Sequence, residues 1–240
     1  MRIVEKIAEK SKNNAGVEGV SIAFLGDSVT QGCFELYWKL NGDMETIFDP
    51  EHSYHRCLSK ILAQLYPSVP INMINAGISG GTASHGLERI NRDVIRHQPD
   101  LAVVCFGLND VWGGEAGLEK YIHALEGIFE ELQKADIEVL FMTPNMMNTS
   151  ISPHLEKSFV ESAEKTAALQ NEGMLDRYLE AAKELCKEKN IPVCDCYARW
   201  KALQRCGVEI NEMLANRINH PARSMNWLFA TALAETILGL

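Results

Sequence analysis

The sequence has no long run of apolar residues and no cluster of basic residues. Charged side chains interrupt residues 1–16 every few positions, unlike the apolar core of a signal peptide, and no later stretch approaches the length of a membrane span. The 23 Lys and Arg are scattered and outnumbered by 32 Asp and Glu, giving a net charge of -9. Nucleic-acid binding typically needs a basic stripe. We therefore expect a cytoplasmic protein that binds neither nucleic acid nor membranes.

Low-complexity linkers and internal repeats are also absent. A chain of 240 residues is long enough to bury one sizeable core and short for two ordinary domains. We therefore expect residues 1–240 to form a single domain.

The cysteines do not form the pattern of a disulfide framework or a zinc site. There are seven, an odd number, and most lie inside apolar runs, which is typical of buried reduced thiols. The pair Cys194 and Cys196 lacks a second Cys or His pair at zinc spacing. The sequence therefore predicts reduced thiols and no bound metal.

What the sequence does contain is a regular alternation of short apolar runs with longer amphipathic stretches, which is typical of an α/β fold. The runs are almost continuously apolar, which favours strands of a parallel sheet covered on both faces. Five strands are predicted over 21–26, 71–76, 101–106, 138–143 and 191–196, with helices over 52–66, 86–97, 175–189 and 224–238 and a helical apolar stripe from Leu118 to Leu132.

Polar and glycine-rich motifs follow the first three predicted strands. GDS (26–28) follows the first strand, NAGISGGT (75–82) follows the second, and GLND (107–110) follows the third. Ligands of an open parallel sheet bind beyond the carboxyl ends of its strands. The three motifs are therefore predicted to meet at one site.

The residue types in these motifs suit acyl transfer to a serine. A strand-to-helix turn at Ser28 would expose its hydroxyl and leave neighbouring backbone N–H groups free to bind an anion. Gly80 offers another N–H and Asn109 a side-chain amide, which are the donors that an oxyanion hole requires. A nucleophilic serine also needs a base, and His220, followed by Pro221 ahead of the last predicted helix, is the best placed candidate.

Together, the motifs resemble the four blocks of the SGNH, or GDSL, hydrolase family of serine esterases over about residues 20–230. FLGDSVTQG matches the first block with Ser28 as nucleophile, NAGISGGT the second with Gly80 as oxyanion donor, GLND the third with Asn109, and His220-Pro221 the last. The resemblance implies a flavodoxin-like three-layer α/β/α sandwich, here with a five-stranded parallel sheet. It also implies hydrolysis of esters without a metal or cofactor, on acylated sugars, short acyl esters, lipids or thioesters.

One position departs from the family pattern. The family usually carries an aspartate three residues before the histidine, where this sequence has Arg217, beside Asn216. An arginine cannot accept the imidazole N–H. Either a backbone carbonyl orients His220, or a carboxylate arrives from elsewhere, and Asp195 at the end of the fifth predicted strand is then the nearest candidate. The alternative for Asp195 is a turn or helix-capping role.

Two further features have two interpretations each. Residues 145–173 lack a single clear period and form either an insertion that shapes an acyl or sugar pocket or a solvated connection. Tyr37, Trp38 and Trp112 lie near the first and third motifs, where they either stack on a sugar ring or pack in the core.

These observations predict an esterase that cleaves carboxylic esters through an acyl-serine intermediate, with a short acyl group such as acetyl on a sugar as the preferred substrate. The competing hypothesis is a non-catalytic glycan-binding protein that kept the cleft and lost the acid. The joint presence of Ser28, Gly80, Asn109 and His220 favours the enzyme, because a binding protein needs no base aimed at a serine. The sequence indicates no oligomeric state.

Overall fold

Seven strands form two separate sheets in a computed structural model that describes residues 1–240. In chain order they are β1 (Val20–Gly26), β2 (Cys33–Trp38), β3 (Met44–Phe48), β4 (Ile71–Gly77), β5 (Leu101–Cys105), β6 (Glu138–Met142) and β7 (Val193–Cys194). Strands β2 and β3 form an antiparallel hairpin, and the other five form a parallel sheet in the order β4-β1-β5-β6-β7. The chain thus moves from β1 to one side of the sheet and then to the other, as in flavodoxin-like folds. The predicted fold class is confirmed.

Helices cover both faces of this sheet. They are α1 (Arg2–Lys12), α2 (Ser28–Gln31), α3 (Tyr54–Leu65), α4 (Ala83–Asp93), α5 (Gly114–Lys134), α6 (Val160–Asn171), α7 (Met174–Glu188), α8 (Cys196–Arg205) and α9 (Asn226–Leu238). Helices α1, α3, α8 and α9 pack together as one layer, and α4, α5, α6 and α7 as the other. No helix has the length and apolar character needed to cross a membrane.

The continuous apolar runs are explained by this two-sided cover. Every residue of β5 is buried, and in β1 only Ser21 is partly exposed. The edge strand β4 is more exposed, because it has a neighbour on one side only. Because strand β1 lies between β4 and β5, its carboxyl end lies at the point where the chain reverses its direction across the sheet. Crevices at such points are where ligands bind in this class of fold.

The predicted boundaries differ most at the fifth strand. Strand β7 has two residues instead of the six predicted over 191–196. Pro192 has no N–H to donate to a ladder, and Asp195 already caps the start of α8. Helix α1, the hairpin and α8 were not predicted.

Residues 145–173 are partly buried and partly solvated, with most of residues 150–158 exposed. Residues 145–148 are buried, and the segment then forms a short 3₁₀ turn (Lys157–Phe159) and helix α6. The Phe159 ring stacks on Trp38 of the hairpin with ring centroids 5.7 Å apart. This segment therefore packs against the hairpin, and its role in shaping a pocket stays a prediction.

The thiols are mostly in the core. Six of the seven cysteines are buried, and only Cys206 is exposed. Burial raises the pKa of Cys33 and of Cys186 to about 12, which keeps both as thiols. The prediction of buried thiols is confirmed for these six.

Candidate active site

The turn after β1 places Ser28 at the start of a helix. Helix α2 begins at Ser28, directly after the strand, and the Asp27 carboxylate caps it by accepting from the Val29 N–H at 3.0 Å. Gly26 permits this sharp turn, because a Cβ there would lie 2.8 Å from the Cys105 carbonyl oxygen and even closer to Thr30. The Ser28 hydroxyl is thereby held beyond the carboxyl end of β1.

His220 lies between Ser28 and a backbone carbonyl. Its Nε2 is 3.0 Å from Ser28 Oγ, and its Nδ1 is 2.9 Å from the Phe34 carbonyl oxygen. A carbonyl only accepts, so Nδ1 carries the hydrogen and Nε2 presents its lone pair to the serine hydroxyl. Burial lowers the pKa of His220 to about 4, so the imidazole is neutral near pH 7. The geometry suits transfer of the serine proton to Nε2.

The carbonyl that holds His220 belongs to a β-bulge. The hairpin pairs Cys33 with Phe48 but Leu36 with Thr46, so β2 contains one more residue than β3 across this interval. A bulge interrupts the ladder and redirects the groups of the bulged strand. The Phe34 carbonyl in this interval faces His220.

The loop that carries His220 is organised by Asn216. Asn216 Oδ1 accepts from the N–H groups of Ile218, Asn219 and His220 at 3.1, 2.9 and 2.8 Å. The segment at 145–148 also holds this loop, since Asn145 Nδ2 donates to the Asn219 carbonyl at 2.8 Å. The conformation of the loop therefore depends on hydrogen bonds between two asparagine side chains and the backbone, together with the burial of Ile218 against Phe159 and Ala163.

The residue at the usual aspartate position does not support His220. Arg217 has a positive φ of 60° and its guanidinium bonds the Glu212 carboxylate at 2.7 Å and the Asn211 carbonyl at 3.2 Å. Neither contact involves the imidazole. The hydrogen bond that a triad aspartate would accept is instead accepted by Phe34.

The prediction that Asp195 orients His220 is wrong in this structure. Asp195 Oδ1 accepts from the Ala198 N–H and from Thr143 Oγ1, both at 3.0 Å, and Oδ2 pairs with Lys183 at 3.1 Å. Because β7 ends at Cys194, Asp195 lies at the start of α8, where its carboxylate caps the helix. The helix-capping alternative describes its contacts.

Three groups with a hydrogen left to donate follow the strands at this end of the sheet. Gly80 has a φ of 73° in the tight turn between β4 and α4, closed by the Gly81 N–H to the Ile78 carbonyl at 3.0 Å. The N–H groups of Gly80 and Ser28 donate to no protein group. Asn109 Nδ2 donates one hydrogen bond to the Gly81 carbonyl at 2.9 Å, and its second hydrogen has no protein acceptor. These groups follow β4, β1 and β5, so the three motifs do converge.

Two buried carboxyl groups link the motifs. Burial raises the pKa of Asp27 to about 7 and that of Asp110 to about 6, and the charge of Asp110 adds to the effect on Asp27. Asp110 Oδ1 accepts from the Ala83 N–H at 2.9 Å and so caps α4. Since both carboxyl groups take up protons near neutral pH, they place less negative charge beside the three donors than two ionised aspartates would.

The three aromatic residues are exposed, so their core-packing interpretation is wrong. Tyr37, Trp38 and Trp112 expose 47%, 44% and 37% of their surface. Trp112 belongs to the turn that follows Asn109, and Lys165 Nζ lies 4.7 Å from its ring centroid.

Sequence reasoning missed the groups that hold the histidine. A hairpin signal is present, because Asn41-Gly42 lies between two apolar runs. No residue type marks the Phe34 carbonyl as an acceptor, because every residue has a backbone carbonyl. Arg223, three residues after His220, bonds Glu35 beside Phe34 and also lacks a recognisable motif.

Comparison with known proteins identifies the family. The model of the GDSL-like lipase/acylhydrolase family matches residues 24–227, and the chain belongs to this family of carboxylic ester hydrolases. An acetylxylan esterase of Geobacillus stearothermophilus is 24% identical over 189 residues, which are 75% of this chain and 77% of that protein.

Solved structures share the fold. The crystal structure of an acetyl xylan esterase matches with a TM-score of 0.66 and 21% identity, over 91% of this chain and 100% of that one. A two-domain esterase active on acetylated mannans matches with a TM-score of 0.67 and 22% identity. That match covers 99% of this chain and 52% of the larger protein.

Proposed function

We propose that this esterase cleaves short acyl groups, acetyl above all, from carbohydrate esters through an acyl-serine intermediate on Ser28. The observation that carries the proposal is the position of His220, with Nε2 3.0 Å from Ser28 Oγ and Nδ1 2.9 Å from the Phe34 carbonyl. This arrangement gives a serine the neutral base that nucleophilic attack requires.

In the first half of the reaction, Ser28 Oγ attacks the ester carbonyl carbon while His220 Nε2 takes the hydroxyl proton. The negative charge that develops on the carbonyl oxygen is held by the N–H groups of Ser28 and Gly80 and by Asn109 Nδ2. The imidazolium then gives its Nε2 proton to the leaving alkoxide oxygen. The alcohol departs, and the acyl group remains on Ser28.

In the second half, water takes the place of the alcohol. His220 Nε2 accepts a proton from the water as its oxygen attacks the acyl carbon, and the same donors hold the charge. The proton returns to Ser28 Oγ when the bond to the acyl group breaks. The carboxylic acid leaves, and the enzyme is restored.

The Phe34 carbonyl replaces the orienting role of a triad aspartate. It fixes the same tautomer, because Nδ1 must donate to it. It has only a partial charge, so it stabilises the imidazolium less than a carboxylate would. We therefore propose a Ser-His dyad that works with a weakly basic histidine, because burial lowers the pKa of His220 to about 4 and the hydrogen bond to Phe34 offsets this only in part.

Two observations support a short acyl group on a sugar. Trp112, in the turn that follows Asn109, is 37% exposed, and an exposed aromatic side chain there suits contact with a sugar ring. Relatives described as esterases of acetylated xylan and mannan support the same substrate class.

A panel of p-nitrophenyl esters from acetyl to long acyl, together with acetylated xylo- and manno-oligosaccharides, tests the proposal. We expect hydrolysis to be fastest for acetyl, with acetate released from the oligosaccharides. Ser28→Ala should abolish both activities, and a fluorophosphonate probe should label Ser28 alone. Folded protein that hydrolyses none of these substrates would support the glycan-binding hypothesis instead, and full activity in Ser28→Ala would exclude Ser28 as nucleophile.

A further inference from the structure

We infer that Arg223 is a positioning residue, which together with Glu35 and Asp49 holds the Phe34 carbonyl against His220. We call these three side chains the hairpin clamp. The inference rests on the proposed function, since the position of the carbonyl matters to catalysis only if His220 is the base.

The need for a clamp follows from the hairpin. Strands β2 and β3 pair only with each other, and neither joins the parallel sheet. Their outer parts are exposed, with Leu40 in the connecting turn fully accessible. A two-stranded hairpin on its own is marginally stable in water, so this one depends on contacts with its surroundings, such as Phe159 stacked on Trp38. The only acceptor of the His220 Nδ1 hydrogen nevertheless belongs to this element.

Arg223 joins both strands at the base of the hairpin. Its guanidinium binds Glu35 through two hydrogen bonds, of 2.5 Å to Oε1 and 3.1 Å to Oε2, and its Nε binds Asp49 Oδ2 at 2.7 Å. Glu35 lies in the bulge beside Phe34, and Asp49 directly follows β3. Arg–carboxylate pairs with two parallel bonds are both strong and geometrically specific. One guanidinium therefore fixes the two strand ends relative to each other.

Arg223 also contacts Phe34 itself. Its guanidinium carbon lies 4.3 Å from the centroid of the buried Phe34 ring. Such cation–π packing restrains the ring, and hence the residue that supplies the carbonyl. Since Arg223 follows His220 by three residues, the clamp ties the acceptor to the chain segment that carries the base.

A surface ion pair without this role exists for comparison. Arg199 on α8 pairs with Glu235 on α9, and the exposure of both side chains is close to that of Arg223, at 38% and 40% against 34%. It joins two helices and contacts neither His220 nor the hairpin. Exposed pairs of this kind add little to stability. Arg199→Gln is therefore a matched control.

Loss of the clamp should affect kcat rather than KM. Without Arg223 the carboxylates of Glu35 and Asp49 lose their shared partner and the bulge is free to move. The His220 Nδ1 hydrogen then has no fixed acceptor, and the wrong tautomer becomes populated. Misplacement of about 1 Å costs up to a hundredfold in rate. Substrate binding does not depend on the tautomer.

The test compares Arg223→Gln, Arg223→Lys and Arg199→Gln on p-nitrophenyl acetate, well below their melting temperatures. We expect kcat to fall about tenfold or more in Arg223→Gln with KM within about twofold. Arg223→Lys should recover part of kcat, because it keeps the charge but not the two parallel bonds. Arg199→Gln should match the parent. An unchanged kcat in folded Arg223→Gln would overturn the inference, as would an equal loss in Arg199→Gln.

Glu35→Gln is a second variant that breaks the hairpin clamp. It keeps the Arg223 cation, and we expect it to disturb folding less than Arg223→Gln does. Its effect on kcat should not add to that of Arg223→Gln, because both act through one contact. Additive losses would overturn the clamp. Ser28→Ala separates the two proposals: if it stays active, the proposed function fails, whereas if it is inactive and Arg223→Gln keeps full kcat, the clamp alone fails.

Discussion

The two sides of the candidate site are held in place by different means. Ser28 follows strand β1, which pairs along its length with β4 and β5 and lies in the core. His220 lies in a loop, and the carbonyl that holds it comes from a two-stranded hairpin outside the sheet. The nucleophile is thus positioned by packing, and the base by hydrogen bonds among peripheral elements.

This difference predicts which changes affect stability and which affect catalysis. Core packing transmits any disturbance near Ser28 to the whole fold. Hydrogen bonds around His220 involve elements that add little to the core, so their loss should impair the reaction in a protein that remains folded. The predictions below test this division, beginning with the largest effect.

The largest loss is expected for His220→Ala. Removal of the base should lower kcat by roughly ten-thousandfold, whereas Arg217→Ala should change it by less than about twofold. The reason is that Arg217 bonds Glu212 and Asn211 and not the imidazole. Steady-state kinetics on p-nitrophenyl acetate measure both. A loss in Arg217→Ala comparable to that in His220→Ala would mean that the loop, and not Phe34, orients the base.

Asn109→Ala should lower kcat on the order of a hundredfold with little change in KM. Its second amide hydrogen contacts substrate most strongly as charge develops on the oxyanion. The same kinetic assay separates the two constants. A rise in KM alone would identify Asn109 as a substrate-binding residue instead.

Arg89→Met should lower the stability of the fold, because Arg89 lies on the Ser28 side of the site. The buried Arg89 guanidinium donates to the carbonyls of Gly26 and Ala76 at 2.8 and 2.6 Å, at the ends of β1 and β4. Its removal leaves both oxygens without this donor, which should lower the free energy of unfolding by about 2–3 kcal/mol. Urea denaturation measures this change. If Arg89→Met has the same free energy of unfolding as the parent, the proposed contrast between a Ser28 side that stabilises the fold and a His220 side that does not would be wrong.

Asp195→Asn should have the smallest effect. Asparagine caps a helix about as well as aspartate, so we expect kcat within about twofold and only a slight loss of stability. Circular dichroism melting and the esterase assay cover both quantities. A collapse of kcat in folded protein would show that Asp195 reaches His220 after all, and the dyad would have to be abandoned.

The sheet and its motifs could be predicted because their signals are local. Continuous apolar runs mark buried parallel strands, and polar residues that follow them must lie at one edge of the sheet, which is how Ser28, Gly80 and Asn109 came to be grouped. His220 stood out by residue type and by its place before the last helix.

A backbone carbonyl as the support of the histidine was one of two alternatives, but the residue that supplies it could not be predicted, for physical reasons. The Phe34 carbonyl has no distinguishing residue type, and its direction depends on a one-residue bulge. Asp195 was a candidate for the acid, beside its helix-capping alternative, because its strand was predicted to extend to residue 196. The exposure of Trp112 depends on a turn whose direction periodicity does not determine.

The most direct test of the dyad is the protonation state of His220. Nitrogen-15 NMR of histidine-labelled protein, assigned with His220→Ala, reports which ring nitrogen carries the hydrogen and at what pH the ring becomes charged. We predict an Nδ1–H tautomer at pH 7 and a titration midpoint near the lowered pKa of about 4, below which the base is protonated and inactive. A midpoint near the ordinary histidine value of about 6.5 would contradict the lowering of the pKa by burial, and an Nε2–H tautomer at pH 7 would contradict a base held by the Phe34 carbonyl.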